Sequence, residues 1–554
     1  MSRVDHKAGC PDPGPWSMPE ENTSGRNMSW LAASGAWKDF CIALSLANLC
    51  YLRLWSGLLT YGPEDAFFMK APPAPAHYLA AVVNTLVLGA IFWVALRGSR
   101  RLRPGWQTAA AEWLFLLLLL LPLNAIRNVL SSQSEQLFQF LRSSLLGFLG
   151  SKKALFLAVV ALAIMPVLAR WRHRLVRSAM AVLLVFSPAV PLTLARGVWG
   201  ALRSDSRVLA AAPAEPRPLA SECRAPRVLW ILFDEWDQRL TFDSRAPGIR
   251  LPELDRFLRT SLCAMHAYPP SSRTICSVSS LTTGRLVSDV KVTGTNDLRL
   301  MFAGGTESAR WRDCSTVFSD AQSLGLKTAI VGWFLPYSRA LGGDVTTCWW
   351  WEMSLQHNST GERFSEIAPN QALSLFETTQ LAPWGQSRAV KNHVQVYHEM
   401  IERALSVVTD PSYRVIFLHL PVPHSPHAYD RKTGTFTRAN SPISGYWDSL
   451  ELLDRTLSEI RLAMEHAGQW DSTTVLLSSD HWNRSSRLLD GKEDHRVPFL
   501  LKMAGQRSGL AVPGRMETVW TRELLAAIMR REISTPSGVA EWIDGRARRD
   551  LKNH

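Results

Sequence analysis

The distribution of apolar residues divides the chain into two parts, with long apolar runs up to about residue 197 and shorter apolar segments after about residue 226. A helix that crosses a bilayer takes ~20 residues, which is about the length of most of these runs. The apolar runs lie at 39–60, 77–96, 108–126, 154–169 and 178–196. The pattern therefore predicts an N-terminal bundle of about five transmembrane helices.

The charges of the connecting loops predict how these helices are oriented. Loops 97–107 and 170–177 carry four arginines each, whereas loop 61–76 has one lysine against two acidic residues. Positively charged loops stay in the cytoplasm, which predicts an inside N-terminus and places everything after residue 197 outside. Loop 127–153 is basic although it should lie outside. We interpret its stretch 136–149 as a helix on the outer membrane surface; if it instead belonged to a sixth span, the C-terminal part would lie inside.

After the linker, short apolar strand patterns alternate with amphipathic helical ones. Strands are predicted at 227–233, 327–332, 413–419, 473–478 and 497–502. Helices are predicted at 252–261, 315–324, 391–409, 447–467 and 519–531. Such alternation is typical of an α/β domain with a mostly parallel sheet and helices on both of its faces.

A chain of 554 residues is too long for a single hydrophobic core, so we expect two folded units. The N-terminal segment is polar and rich in Pro and Gly, with no cleavable signal peptide evident, and the later linker is rich in Ala and Pro. The predicted segments are a disordered cytoplasmic tail at 1–36, a transmembrane domain at 37–205, a linker at 206–226 and an extracytoplasmic domain at 227–554.

Net charge supports a membrane protein and excludes a nucleic-acid-binding one. Residues 1–205 carry 20 Lys and Arg against 10 Asp and Glu, whereas the remainder carries 41 against 38. Most of the net charge of +13 thus belongs to the apolar part, where it sets topology. A nucleic-acid-binding domain would instead carry a basic face on its folded surface.

Cysteine usage after residue 206 allows disulfide bonds. This part contains five cysteines, and an exterior location is oxidising. Cys314 and Cys348 are the preferred pair, although the sequence does not determine connectivity.

Acidic residues and histidines follow the predicted strands. Asp234 comes directly after the first strand, and Asp480 and His481 follow the fourth. Because active sites of parallel sheets lie beyond the carboxyl ends of strands, we predict that these three side chains hold a divalent metal. Glu235 should point to the opposite side, and His419 is by default a structural histidine.

Thr274 lies at the start of a predicted helix in the segment 269–285. A threonine there could simply cap the helix, or it could be a nucleophile whose hydroxyl also contacts the metal. The two roles are compatible, because a helix N-terminus stabilises an alkoxide or a bound phosphate.

These segments resemble the alkaline phosphatase superfamily, in its sulfatase-like branch, over about residues 226–535. In sulfatases the nucleophile position lies nine residues before the Thr of a T-G-R motif, as Thr274 lies nine before Thr283. The segment His419–Pro426 is similar to the H-x-x-G-S-H-G-P motif of bacterial phosphoethanolamine transferases, and His495 begins an H-x-V-P motif. The resemblance implies a nucleophilic Thr274 and substrate-binding roles for His424 and His495.

The departures from this pattern also carry information. The C-x-P-S-R motif is absent, Cys276 lies seven residues before Thr283, and Val278 stands where sulfatases have an arginine. A formylglycine-dependent sulfatase is therefore not expected. The second-metal pattern, Asp with His four residues later, is missing around Asp480, so we expect one divalent metal, zinc or manganese.

Apolar spans before such a domain also resemble membrane-bound phosphoethanolamine transferases and lipoteichoic acid synthases. The leading hypothesis is a multi-pass enzyme of the bacterial inner membrane with its catalytic domain outside the cytoplasm. It would transfer a phosphoryl-containing group from a membrane phospholipid to an envelope glycan or lipid through a phospho-threonine. The alternatives are hydrolysis of phosphate or sulfate esters and a non-catalytic membrane scaffold. The Trp349–Trp351 run either packs in the core or forms an aromatic surface for the membrane interface or sugar rings.

Overall fold

The computed structural model describes residues 24–70, 72–133, 153–204, 226–352, 363–377, 383–437 and 443–553. The chain divides into two compact units, which alternate along the sequence. The first comprises Met1–Cys50, Thr85–Pro122 and Gln139–Leu192, and the second comprises Tyr51–Asn84, Leu123–Phe138 and Thr193–His554. The predicted surface helix 136–149 and nearly all of the predicted linker 206–226 lie outside the described residues.

Among the described residues up to 204, the regular elements are all helices, joined by short turns. These helices are α1 (Ser24–Cys50), α2 (Leu52–Leu59), α3 (Pro63–Phe68), α4 (Pro75–Ser99), α5 (Trp106–Leu118), α6 (Leu120–Gln133), α7 (Lys153–Phe186) and α8 (Ala189–Arg203). Within the described residues, two helical segments are long and apolar enough to cross a membrane, Pro75–Ser99 and Trp106–Arg127. Two bent pairs also pass the test together, α2 with the end of α1 and α8 with the end of α7, which raises the number to at most four. These helices are consistent with association with a membrane, but the predicted set of five spans is not confirmed.

The prediction of a loop at 170–177 is wrong, because α7 continues through these residues as a single helix. The segment contains neither Gly nor Pro, so the helical hydrogen bonds continue through its arginines. Arg172 Nε donates to Glu112 Oε2 at 3.0 Å. A drop in hydropathy indicates that the chain passes from a lipid to an aqueous environment. A helix ends where Gly, Pro or a capping residue stops its backbone hydrogen bonds. At the other end, α1 begins at Ser24, inside the predicted tail.

The second unit contains an eight-stranded sheet of order β13-β2-β12-β11-β1-β8-β6-β7. Strands β11, β1, β8, β6 and β7 are mutually parallel, whereas β12 is antiparallel to both of its neighbours. The strands of this sheet are β1 (Arg227–Phe233), β2 (Leu262–Tyr268), β6 (Thr328–Trp333), β7 (Thr347–Trp351), β8 (Val415–Leu420), β11 (Thr473–Ser479), β12 (Phe499–Lys502) and β13 (Leu510–Glu517). The predicted mostly parallel α/β domain is confirmed, and all five predicted strands belong to this sheet.

The central strands are buried on both faces, which is why they read as continuous apolar runs. In β1 all seven residues are buried, and alternate side chains enter two different cores. Trp230 belongs to one core and Ile231 to the other, on the opposite side of the sheet.

Helices cover the sheet, and the five predicted ones are present with slightly different ends. They are α9 (Pro252–Leu258), α11 (Val317–Ser323), α14 (Pro383–Thr409), α15 (Tyr446–His466) and α17 (Thr521–Met529). The other α-helices in the described residues after 226 are α10 (Thr274–Thr283), α12 (Tyr337–Leu341), α13 (Phe364–Glu377), α16 (Arg487–Asp490) and α18 (Pro536–Asn553). The small sheets are β3 (Val287–Gly294) with β4 (Asp297–Phe302) and β5 (Ser308–Arg310), and β9 (Tyr429–Asp430) with β10 (Thr435–Phe436).

The predicted disulfide between Cys314 and Cys348 is not formed. Both are free thiols in the part of the chain that the structure describes. The Cys314 thiol lies 3.2 Å from the backbone oxygen of Arg310, whereas Cys348 lies within strand β7. Two cysteines form a bridge only when the fold brings their Cβ atoms together, which spacing along the chain does not show.

Helix α3, from the membrane-proximal part of the chain, docks on the α/β domain within the same unit. The buried Arg339 guanidinium donates to the backbone oxygens of Ala66, Phe67 and Met69 at 2.6–2.7 Å. Phe67 is fully buried in the domain's core. The carbonyls at the end of α3 therefore receive their hydrogen bonds from a side chain far away in sequence.

The three consecutive tryptophans are the last residues of strand β7, at the edge of the sheet. Trp350 is buried, and Trp349 and Trp351 are half-buried. The Lys70 ammonium lies 5.4 Å from the centre of the Trp351 ring, and the Arg403 guanidinium lies 4.8 Å from that of Trp349. The run is thus part of the packed domain, with cations over its outer rings.

Candidate metal centre

Three neighbouring parallel strands end at the same edge of the sheet. In their register, Phe233 of β1 pairs with Ser479 of β11, and Leu232 pairs with His419 of β8. Asp234 and Asp480 are the residues that follow β1 and β11. The topology therefore brings two carboxylates and an imidazole together, although more than 240 residues separate Asp234 from Asp480.

Asp234, His419 and Asp480 form a cluster that could hold a metal ion. Each offers one ligand atom, these atoms lie within 4.8 Å of one another, and all three residues are buried. Among the described residues, Asp234 Oδ1, His419 Nε2 and Asp480 Oδ2 are buried polar atoms without a hydrogen-bond partner. Buried polar atoms are normally satisfied, so three such atoms that converge fit a divalent cation.

The second oxygen of each carboxylate is held by hydrogen bonds that orient the first. Trp333 Nε1 donates to Asp234 Oδ2 at 2.8 Å. The backbone N–H groups of His481 and Glu235 donate to Asp480 Oδ1 at 2.9 and 3.2 Å. Outer contacts of this kind direct ligand atoms towards a metal.

His419 is the candidate ligand that the sequence interpretation left as a structural histidine. Its Nδ1 lies 2.8 Å from the buried Tyr337 hydroxyl, and its Nε2 faces the two carboxylates. When Nδ1–H donates to the tyrosine oxygen, Nε2 carries the lone pair that a metal needs. The available signal was its position near the end of β8, the strand that neighbours β1.

His481 joins this cluster to Thr274. Its Nε2 lies 3.7 Å from Asp234 Oδ1, 3.2 Å from Asp480 Oδ2 and 3.2 Å from Thr274 Oγ1. Its Nδ1 lies 3.0 Å from the backbone oxygen of Trp482, which accepts the ring N–H. The Nε2 lone pair is then directed into the cluster, and His481 is a fourth candidate ligand.

The electrostatics of the cluster favour a bound cation. Burial raises the pKa of Asp234 to about 6, and repulsion by the Asp480 carboxylate adds to the shift. Burial lowers the pKa of His419 to about 4, so its imidazole is neutral near pH 7. A positive ion between the carboxylates would remove the repulsion and favour their ionised forms.

Thr274 is the first residue of α10 and the only half-buried one, since Ile275–Thr283 are all buried. Cys276 is fully buried in the core, and Ser277 Oγ donates to the backbone oxygen of Asp480 at 2.5 Å. Of the three hydroxyl and thiol groups at this helix start, that of Thr274 faces the candidate metal cluster. The helix ends at Gly284, whose left-handed φ of 69° suits glycine.

The two predicted substrate-binding histidines lie at different places. His424 is half-buried, with its ring centre 6.1 Å from that of Trp333, the indole that holds Asp234. Burial lowers the pKa of His424, but the neighbouring carboxylates Asp234 and Glu235 raise it by more, and the net pKa lies above its usual value. His495 is exposed and stacks on Trp482 at 4.1 Å, outside the ligand cluster.

Glu235 follows Asp234 directly but is not among the residues whose ligand atoms converge in the cluster. Arg484 Nε donates to its Oε1 at 2.8 Å. Its backbone is left-handed, with φ of 64°, directly after the candidate ligand Asp234. A non-glycine residue in this conformation is uncommon, and such strain concentrates at functional sites.

Sequence reasoning missed His393, which no motif contains. It lies on α14, is buried, and packs edge-on against Trp333 with ring centres 5.4 Å apart. The fold alone brings this helix to the Trp333 indole.

A sequence model described as Sulfatase matches residues 226–521 of the chain. No curated protein sequence matches. Similar solved structures include PsFucS1 sulfatase from Pseudoalteromonas sp., with 15% identity, 56% of this chain and 69% of that chain covered, and a TM-score of 0.38. Phosphonate monoester hydrolase of Agrobacterium radiobacter is 12% identical over 55% of this chain and 74% of that chain, with a TM-score of 0.36. A protein in the alkaline phosphatase superfamily from Vibrio parahaemolyticus is 12% identical over 60% and 73%, with a TM-score of 0.35.

Proposed function

The chain belongs to the sulfatase family, and from this premise we propose that it transfers a phosphoryl-containing group through a phospho-threonine formed at Thr274. The donor would be a membrane phospholipid, and the acceptor an envelope glycan or lipid. Membership of the family makes the protein an enzyme of the sulfatase-like superfamily, in which phosphate or sulfate esters are the substrates.

The observation that carries the proposal is the contact between Thr274 Oγ1 and His481 Nε2 at 3.2 Å, beside two orphaned carboxylate oxygens. Asp234, His419, Asp480 and His481 would hold one zinc or manganese ion. When bound, such an ion supplies a Lewis acid that lowers the pKa of a nearby hydroxyl and withdraws charge from phosphoryl oxygens.

The protein's own residues would perform the transfer in two displacements. Thr274 Oγ1 forms a bond to phosphorus as the bond to the lipid alcohol breaks, and the alcohol leaves. An acceptor hydroxyl then attacks phospho-Thr274 and restores the threonine. The first N–H groups of α10 and the His424 imidazole, whose pKa is raised, suit a negatively charged group.

We prefer phosphoryl transfer to sulfate ester hydrolysis because of the environment of Cys276, the only cysteine in the nucleophile segment 269–285. Cys276 is fully buried in the core cluster, two residues into the helix. Burial raises the pKa of its thiol, which keeps it protonated. A side chain in this position is not available as a formylglycine nucleophile, whereas the Thr274 hydroxyl is.

The test uses the full chain in detergent with a phospholipid whose headgroup is isotopically labelled. Mass spectrometry of acid-quenched protein should place the added group on Thr274. Thr274→Ala should lower turnover by several powers of ten while metal content stays at the wild-type level. Thr274→Ser and Cys276→Ser are the matched controls, and both should retain measurable turnover.

Two outcomes would contradict the proposal. One is a covalent adduct elsewhere, including formylglycine at Cys276, and the other is full activity in Thr274→Ala. A phospho-Thr274 that is discharged to water at the same rate with and without lipid or glycan acceptors would identify a hydrolase instead.

A further inference from the structure

The segment 333–339, at the end of strand β6 and the start of α12, carries side chains that orient two candidate ligands. Trp333 Nε1 donates to Asp234 Oδ2 at 2.8 Å. The Tyr337 hydroxyl lies 2.8 Å from His419 Nδ1. Outer contacts of this kind change the affinity of a metal site by about 10–100-fold when they are removed. The position of one short segment therefore affects two ligands from different strands.

Close packing against β6 holds the Tyr337 ring beside His419. Gly332 of β6 is the register partner of His419 of β8. A Cβ atom at Gly332 would lie 2.3 Å from two ring atoms of Tyr337, so the missing side chain makes room for the ring. A shift of the segment 333–339 would move the hydroxyl away from the imidazole that it contacts.

The same segment also binds helix α3. The Arg339 guanidinium donates to three backbone oxygens at the end of α3, at 2.6–2.7 Å. The ring of Phe334 stacks on that of Phe68, with centres 5.4 Å apart and planes at 17°. Helix α3 lies between α2 and α4, and α4 has the length and composition of a membrane span. The α3 residues and the segment 333–339 belong to the second unit.

The backbone at Phe334 needs external contacts to keep its conformation. Its φ is 66°, in the left-handed region, where a bulky side chain is strained. Such strain persists only where the surroundings hold it. The Phe334 N–H donates to the Trp351 backbone oxygen at 2.8 Å, and Phe68 packs on the side chain. Helix α3 thus supplies one of the contacts that hold the bend between Trp333 and Tyr337.

We propose that docked α3 positions the candidate metal centre through the segment 333–339. It holds Trp333 and Tyr337 where they direct their two ligands towards a divalent cation. Phe68 and Arg339 are positioning residues, because they act through this segment and touch none of the candidate ligands. The connection between two membrane-type helical segments then sets the metal affinity of the α/β domain. This inference rests on the metal centre of the proposed function, but not on the transfer reaction.

The test measures the affinity of the full chain in detergent for zinc and for manganese, by competition with a fluorescent chelator after removal of metal with EDTA. Phe68→Ala removes the stack on Phe334 and leaves every candidate ligand in place. It should bind metal about tenfold more weakly than the wild type, because the outer contacts of two ligands are loosened. Phe68→Tyr keeps a ring that can stack, so its affinity should stay within about twofold of the wild type.

Trp542→Ala is the matched control for loss of stability. Trp542 is half-buried and packs against the same core as Phe68, but it lies on α18. That helix contacts β13, at the edge of the sheet farthest from β6 and β7. Both alanine variants should lower the melting midpoint in chelator. The control should keep wild-type metal affinity, since a change in global stability does not alter binding by the folded protein.

If Phe68→Ala does not fold, Phe68→Leu keeps most of the apolar volume and should show the same loss of affinity to a smaller degree. Wild-type affinity in the folded Phe68 variants, or an equal loss in Trp542→Ala, would overturn the proposal and leave the metal centre standing. A wild-type chain that binds neither zinc nor manganese would refute the metal centre and this proposal with it.

Discussion

Replacement of Asp234 by Asn removes a buried negative charge that a bound cation would compensate, so the sign of its effect on stability should depend on metal. Asp234 is 2% exposed, and burial followed by repulsion from Asp480 raises its pKa from 3.8 to about 6. A carboxyl group whose pKa is raised by folding destabilises the fold when it is ionised. The destabilisation is fully present above the folded pKa and disappears below the unfolded one.

A shift of about two pKa units corresponds to about 3 kcal/mol at 1.36 kcal/mol per unit. In chelator at pH 8, Asp234→Asn should therefore be the more stable protein, with a melting midpoint higher by a few degrees. The amide oxygen of Asn can still accept the hydrogen bond from Trp333 Nε1, which now reaches Asp234 Oδ2. At pH 5 the advantage should fall to about half, because the wild-type carboxyl group is then mostly protonated in the folded state.

Saturating zinc or manganese should reverse the order, since the wild type gains the free energy of metal binding and the variant loses most of it. The assay is intrinsic tryptophan fluorescence during thermal unfolding of the full chain, with chelator or metal at both pH values.

Asp237→Asn is the matched control, because burial also raises the pKa of Asp237 to about 6 and it lies outside the ligand cluster. It should stabilise the protein equally with and without metal. If Asp234→Asn is destabilising in chelator, or if it behaves like Asp237→Asn in metal, the assignment of Asp234 as a ligand is refuted.

Three further predictions concern the ligand set, the docking of α3 and the topology. His419→Ala should lose bound metal while His495→Ala retains it, as measured by elemental analysis of the purified full chain; equal metal content in both would remove His419 from the ligand set. Arg339→Met should cost about 3–5 kcal/mol of unfolding free energy, because the carbonyls at the end of α3 lose their buried donor. Arg507→Met, at an exposed ion pair, should change stability by less than about 1 kcal/mol, and similar effects of the two would contradict this role of Arg339. A reporter active only outside the cytoplasm, fused after residue 211, should be active, and activity of a cytoplasm-specific reporter there would overturn the predicted orientation.

The sheet could be predicted from sequence because its central strands are buried on both faces. Such strands read as apolar runs of five to eight residues whatever their neighbours are, and β1 matches its predicted bounds residue for residue. The N-terminal helices were harder to delimit. Hydropathy indicates whether a segment lies in lipid or in water, not where a helix ends. Helix α7 therefore continues from apolar into arginine-rich sequence with its backbone hydrogen bonds intact.

The sequence by itself determined where the candidate site residues lie in the secondary structure. Local patterns locate the strands that Asp234 and Asp480 follow and the helix that Thr274 begins. Only the tertiary structure decided which of these side chains come into contact. In the folded protein His419 Nε2 lies beside the two carboxylates, and Arg339 donates to the carbonyls at the end of α3. Cys314 and Cys348 remain free thiols. The physical reason is that local periodicity records which residues are buried, whereas ligand sets and buried hydrogen bonds depend on the distances and directions of side chains that come together only when the sheet assembles.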